Sequence, residues 1–503
     1  MSEKRTKGLL GFIEHVGNKL PHPGTLFLIM TILVIGISAM GQLFGWSATY
    51  QGLVNVDGVY TTSEVSVTTK SLLTVEGITY MFSSLVSNFT SFAPLGTVLV
   101  ALVGIGVAEY SGLIGSALRL LALKTPKRLL TMTIVFLGIM SSIATDAGYV
   151  VLPPLAAMIF LSLGRHPLAG IAAAFAGVSG GFSANLLPGA LDSLLAGLTE
   201  EAAHIINPAY EVAILGNYYF MIVSTFLITI VGTFVTEMII EPRLGTYKGN
   251  VSIEQETISK EEQKALIYAL ISGFATVLLL VGIYFLIGQS LFLGSGIVPI
   301  IVIAFIIPGI TYGKSIGTIK GNSDVMEMIT KSFSTMSSYL VLVFFAAQFI
   351  AFFNYSNLGT LLAVNGSTVL QRLNAPDIIL ILAFILIVAF INLFMGSSSA
   401  KWAILAPVFV PMLMELGISP EFSQLAYRIG DSTTNIISPL MSYFAMIIVY
   451  VQKYDKKASF GTLISLMLPY SCIFMVAWSL LLIVWMFLGL PIGVDTVMNY
   501  IPL

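Results

Sequence analysis

Residues 378–414 read IILILAFILIVAFINLFMGSSSAKWAILAPVFVPMLM. These 37 residues are apolar at both ends and turn polar at their middle, Gly396-Ser-Ser-Ser-Ala-Lys-Trp402. One membrane crossing takes about 20 apolar residues, so each arm is short for a full span. Asp377 flanks one end and Glu415 and Glu421 the other, with no basic residue at either. Like flanks put both ends on the same side, and the absence of basic residues makes that side the outer one. The stretch is expected to be a re-entrant hairpin. A second stretch behaves in the same way. Residues 129–164 are apolar, with Ser141, Ser142, Thr145 and Asp146 near the middle. Lys124, Lys127 and Arg128 precede it, and Arg165 and His166 follow. Basic flanks mark the cytoplasmic side, so this hairpin is expected to enter from inside.

The rest of the chain fits a membrane of helices. Of 503 residues, 56% are hydrophobic and 10% charged, with a mean hydropathy of +0.94. A soluble domain carries about 25% charged residues. The composition therefore implies an all-α polytopic membrane protein and excludes a solvent-exposed globular enzyme. A net charge of -2 excludes a nucleic-acid binder. Cys472, the single cysteine, cannot form an intramolecular disulfide, and four scattered His do not suggest a zinc site.

Outside the hairpins the apolar runs are 24–46, 94–123, 167–198, 212–240, 265–293, 297–312, 336–358, 422–450 and 461–490. That layout gives nine spans and two hairpins. The basic segment before the first run and the acidic one after it put the amino terminus in the cytoplasm. The reading divides the chain into mostly scaffold spans (1–128), a first hairpin and broken helix (129–199), and scaffold spans with a cytoplasmic linker at 241–264 (200–377). A second hairpin and broken helix (378–450) and a last span (451–503) complete it.

Parts of the chain repeat. Leu152-Pro-Pro154 faces Ala406-Pro407, Ser183-Ala-Asn185 faces Thr433-Thr-Asn435, and Glu109-Tyr110-Ser111 faces Asn354-Tyr355-Ser356. With one hairpin opening inside and the other outside, the repeat is of inverted topology, as in secondary transporters. The second member of each half should be a broken helix. Residues 177–189 hold glycines and a proline, and 428–439 ends in Ser-Pro. Backbone freed by such breaks must be covered by protein or line a cavity. Helix ends there can face anions, and exposed carbonyls can face cations.

Intramembrane ionisable residues are costly and usually functional. Asp192, after the first break, is read either as a proton carrier or substrate contact or as a cap of its half-helix. Arg428 and Asp431, at i and i+3, can pair on one helical face. They are read as a substrate-carboxylate site or as a structural ion pair. Trp402 is read as a stacking platform or a wedge. Lys401 beside it is left aside as a snorkelling residue. Asn185, Asn392, Asn435, Ser398, Ser399 and Thr433 are candidates for a cation shell, with Asp431 as a further member. Ser142 and Asp146 mark the first hairpin tip.

Gly396–Trp402 with Ala406-Pro407, followed by Tyr427-Arg-Ile-Gly-Asp-Ser-Thr-Thr-Asn-Ile-Ile-Ser-Pro439, resembles the AbgT family of aminobenzoyl-glutamate transporters. Val16-Gly-Asn-Lys-Leu-Pro-His-Pro23 resembles that family's opening segment. The resemblance implies a bacterial inner-membrane homodimer with an inner transport core and an outer scaffold. It also implies functional roles for Asp192, Trp402, Pro420, Arg428 and Asp431, and a sodium ligand at Asn392. The implied activity is cation-coupled transport of p-aminobenzoyl-glutamate or related aromatic carboxylates, or export of p-aminobenzoate and sulfonamides. No cofactor is expected beyond Na+ or H+ as coupling ion. An ion channel is the reading from a different class, and an intramembrane enzyme lacks a His near Ser397–Ser399.

Overall fold

Lipid offers no hydrogen bonds, so a spanning segment must satisfy its backbone internally, and helix is the form that does so for a single segment. The computed structural model describes residues 23–56, 59–143, 147–249, 258–287, 297–372, 375–441 and 443–500. Among them, five helices are long and apolar enough to cross a membrane: Gly24–Leu43, Tyr218–Leu244, Lys260–Ile283, Val298–Ile316 and Phe460–Leu488. Two bent pairs bring the number to seven if each counts as one span. In the first, Val98–Tyr110 meets Leu113–Lys124 at 54°. The run 94–123 was expected to be a single span. The bend falls at Gly112, whose φ of 93° lies in the left-handed region that glycine tolerates. In the second pair, Asn322–Ser334 meets Tyr339–Tyr355 at 49°.

Both hairpins consist of two short helices. The first is Leu130–Ser141 and Ala147–Ser162; the second is Asp377–Asn392 and Ser398–Met414. Their lengths, 12, 16, 16 and 17 residues, fall short of the roughly 20 a crossing requires. At the second tip, Ser397 Oγ caps the returning helix by accepting from Ala400 N at 3.3 Å. At the first tip, Asp146 lies outside the described residues.

The broken helices follow. Pro167–Phe175 runs into a π turn at Ala176–Gly180, and helix resumes at Ala190–Ala203. Pro420–Asn435 resumes at Phe444–Gln452. The second break was expected within 428–439, just after Arg428 and Asp431, and the helix opens there, after Asn435. Gly430 serves close packing here: a Cβ on it would sit 2.6 Å from the Ile385 carbonyl oxygen of the second hairpin.

One element was not expected. Ser47–Val56 and Val59–Thr68 form an antiparallel two-stranded sheet. The segment was read as a polar loop, although its Val, Thr and Tyr content favours strand.

One large hydrophobic core contains residues of both hairpins and both broken helices. Asp377–Asn392 and Ser398–Met414 each pack on Pro420–Asn435, and Ser398–Met414 also packs on Ala190–Ala203. Ile297–Ile316 packs on Ala93–Tyr110, and Lys260–Ile287 packs on Ile297–Ile316 and on Leu113–Lys124. Ala265, Leu266, Ala269 and Tyr312 form a separate small cluster there.

Candidate functional site

The helix Pro420–Asn435 is buried along its whole length although it is the most polar of the inner helices. Its polar side chains therefore need partners from neighbouring elements. They find them in two charge pairs.

In the first pair, Arg428 Nη2 donates to Asp192 Oδ1 at 2.7 Å, with side-chain exposures of 2% and 8%. Asp192 stands in the first turn of Ala190–Ala203, and its Oδ2 accepts from Gly189 N at 2.7 Å. A carboxylate at that end also opposes the positive pole of the helix. Arg428 Nη1 faces only the sulfur of Met221, at 3.6 Å. The Gln424 amide is oriented by its neighbours. With its oxygen toward the guanidinium it accepts from Arg428 Nε at 3.3 Å and Nη2 at 3.1 Å, while its nitrogen donates to Thr199 Oγ1 at 2.8 Å. Trp402 Nε1 donates to the same hydroxyl at 2.9 Å. The Trp402 ring stacks on Tyr427, with centroids 4.5 Å apart and planes at 30°.

In the second pair, Lys401 Nζ meets Asp431 Oδ1, both side chains being 0% exposed. Lys401 also donates to Asn392 Oδ1. Ser398 Oγ donates to Asp431 Oδ2 at 2.8 Å, and Tyr427 OH donates to the Ser398 carbonyl at 2.5 Å. Asn392 Nδ2 faces three acceptors: Asp431 O at 2.6 Å, Thr434 Oγ1 at 2.8 Å and Asn435 Oδ1 at 2.9 Å. The two halves of the chain meet beside this pair, where Ser183 N donates to Ser432 Oγ at 3.1 Å. Asn185 Nδ2 reaches back to Ser142 Oγ of the first hairpin at 2.8 Å. These contacts tie the segment after the first π turn to the first hairpin on one side and to the helix Pro420–Asn435 on the other.

A family model, that of the AbgT transporter family, matches residues 8–500. The chain belongs to the AbgT transporter family. It is a multi-pass membrane protein of a transporter family. It is 37% identical over 506 residues to the p-aminobenzoyl-glutamate transport protein of Escherichia coli (strain K12), covering 98% of this chain and 97% of that one. Two solved structures share the fold. The YdaH transporter of Alcanivorax borkumensis has a TM-score of 0.85 at 44% identity, over 94% of this chain and 100% of that chain. MtrF of Neisseria gonorrhoeae, described with a class of antimetabolite efflux pumps, has a TM-score of 0.90 at 47% identity, over 97% and 100%.

Against this AbgT framework, the residues singled out from sequence fall into groups. Asp192, Trp402, Arg428 and Asp431 converge where Ala190–Ala203 and Ser398–Met414 meet Pro420–Asn435. Pro420 does not join them. It is the first residue of its helix, beside the Ser419 cap, and eight residues place it about 12 Å from Arg428 along the axis. Asn392, Asn435 and Ser398 gather around Asp431, whereas Asn185 stays with Ser142. Ser399 contacts Ser397 at 3.3 Å. Thr433 turns away, bonding Ile429 O at 2.7 Å and facing Met475 of the last helix.

Two expectations are corrected. Arg428 and Asp431 do not pair with each other, because each finds an opposite charge on another element. Lys401 does not snorkel, because it is fully enclosed. Sequence reasoning also passed over Thr199, Gln424, Tyr427 and Thr434. Helical spacing could have found two of them, since Gln424 stands four residues before Arg428 and Thr434 three after Asp431.

Proposed function

We propose that this chain is a cation-coupled secondary transporter that moves p-aminobenzoyl-glutamate or related aromatic carboxylates, such as p-aminobenzoate, across the bacterial inner membrane. The observation that carries the reading is the enclosed Arg428–Asp192 pair beside the Trp402–Tyr427 stack. Guanidinium binds carboxylates through two parallel hydrogen bonds, and here one of its edges faces only a thioether. An incoming carboxylate competes with Asp192 for Arg428, and an aromatic ring joins the stack once the second hairpin shifts. Asp192, when displaced, becomes free to take a proton. Asn392, Asp431, Thr434 and Asn435 offer oxygen atoms to a coupling cation. Trp402 is 0% exposed, so the arrangement is that of an occluded site which must open to load.

The 47% identity to MtrF favours a second direction of the same chemistry: export of p-aminobenzoate and sulfonamides. Proteoliposome flux of labelled p-aminobenzoyl-glutamate and p-aminobenzoate, under separately imposed sodium and proton gradients, tests both. Concentrative flux that an ionophore abolishes is expected. Flux that only dissipates the substrate's own gradient would make the protein a channel and sink the reading.

A further inference from the structure

Lys401 places a buried ammonium among oxygen atoms of the second hairpin and the broken helix. Its ammonium is enclosed between Asn392 Oδ1 of one hairpin arm and Asp431 Oδ1 of the broken helix. Those are hard oxygen donors of the kind that bind small hard cations. Asn392 is fixed in turn by Asp431 O, Thr434 Oγ1 and Asn435 Oδ1. The surrounding charges balance, because Arg428 is taken by Asp192 and Lys401 by Asp431. Glu421, another buried acid of the same helix, lies about 15 Å along its axis and accepts from Tyr210 OH.

We infer that Lys401 is a tethered cation which fills the Asn392–Asp431 site in this conformation and so determines ion selectivity: sodium enters only when the ammonium leaves. Adding a sodium ion beside a retained ammonium would leave one buried positive charge without a partner, which is strongly disfavoured. The returning arm Ser398–Met414 carries both Lys401 and Ser398 onto Asp431, whereas Asn392 stands on the other arm and is bonded to the broken helix. Movement of the returning arm alone therefore removes the internal cation and one hydrogen bond together and leaves the Asn392–Asp431 site in place. This inference rests on reading Asn392 and Asp431 as ion ligands.

The test needs no substrate, so it is independent of what the protein carries. The full-length chain is melted in detergent with sodium chloride or with choline chloride at equal ionic strength. The wild type is expected to melt at the same temperature in both. Lys401→Met keeps much of the side-chain length but loses the charge. It should gain a sodium-specific rise of a few degrees that grows with sodium concentration, as mass action requires. Lys401→Arg should stay insensitive to sodium. Asp431→Asn added to Lys401→Met should abolish the gain. A wild type that sodium stabilises as strongly as it does Lys401→Met would overturn the inference. So would a Lys401→Met protein that melts alike in both salts, or one that cannot be recovered folded even in sodium.

Discussion

Replacing Arg428 by lysine keeps a cation opposite Asp192 but removes the planar fork that grips a carboxylate. Arg428→Lys should therefore fold and lose most transport, which flux and melting on one preparation would check. Native flux in Arg428→Lys would make the pair structural. Arg428→Ala leaves Asp192 buried without its cation, a change that costs about 3–5 kcal/mol when a buried pair is broken. It should lower expression and melting temperature as well as flux. Asp192→Asn should keep substrate binding and blunt proton coupling if Asp192 carries the proton, read as flux under a pH gradient against flux under substrate alone. At this scale the sequence showed which groups are costly in a membrane, and so singled out Asp192, Arg428 and Asp431 as candidates. It did not show who pairs with whom. The i, i+3 spacing made Arg428–Asp431 the nearest choice, but Asp192, 236 residues away, holds Arg428, and Lys401 of the second hairpin holds Asp431. Lys401 was left aside because a long cationic side chain at a hairpin tip can snorkel, and only packing could reveal its enclosure.

Helix contacts at the core leave little room, and Gly430 tests one of them. Gly430→Ala would push a methyl against the Ile385 carbonyl and the Val388 side chain, 2.6 and 2.8 Å away. Separation of the second hairpin from the broken helix should cost about 1–3 kcal/mol, as overpacking does, and a lower melting temperature without loss of the fold would show it. A second element-level device is the start of the helix at Pro167, where His166 Nδ1 accepts from Leu168 N at 3.2 Å. Burial pushes the His166 pKa below the usual imidazole value, against the opposing pull of Glu241 and Asp455. The folded protein thus holds the neutral ring more firmly than the unfolded chain does. That contribution is fully present above the unfolded value of about 6.5 and is lost as pH falls through the lower folded value. Protonation also turns the capping nitrogen from acceptor to donor. His166→Asn, a good cap that does not titrate, should flatten the fall in melting temperature on acidification; an unchanged slope would assign it to other groups. The hairpins were legible because flank charge and arm length are local properties. The strand pair at 47–68 is just as local, Val56 pairing with Val59 across two residues. Its signals are the β-branched content and the Asp57-Gly58 dipeptide between the strands, which reading the segment by polarity alone leaves unused.

Beyond the core, the helices Lys260–Ile287 and Ile297–Ile316 present long apolar faces: Leu270, Ile271, Phe274, Leu278 and Leu279 are all exposed. Lipid covers such a face as readily as a second copy does, so hydrophobicity alone does not distinguish them. The proposed division into a moving core and a fixed scaffold bears on the choice. A hairpin that slides needs a frame that does not, and two copies joined through their scaffold helices supply more frame than one. We expect a homodimer formed through residues 265–312 and their neighbours. The check is disulfide crosslinking in native membranes, in a Cys472→Ser background because Cys472 is itself exposed. Leu278→Cys, at 56% exposure, should give a dimer band on oxidation, while Phe487→Cys, at 75% exposure on the last helix, should not. Equal crosslinking at both positions would indicate random collision in the membrane. A band only at position 487 would move the dimer contact to the last helix, next to the transport core, and the scaffold assignment of residues 265–312 would fall with it.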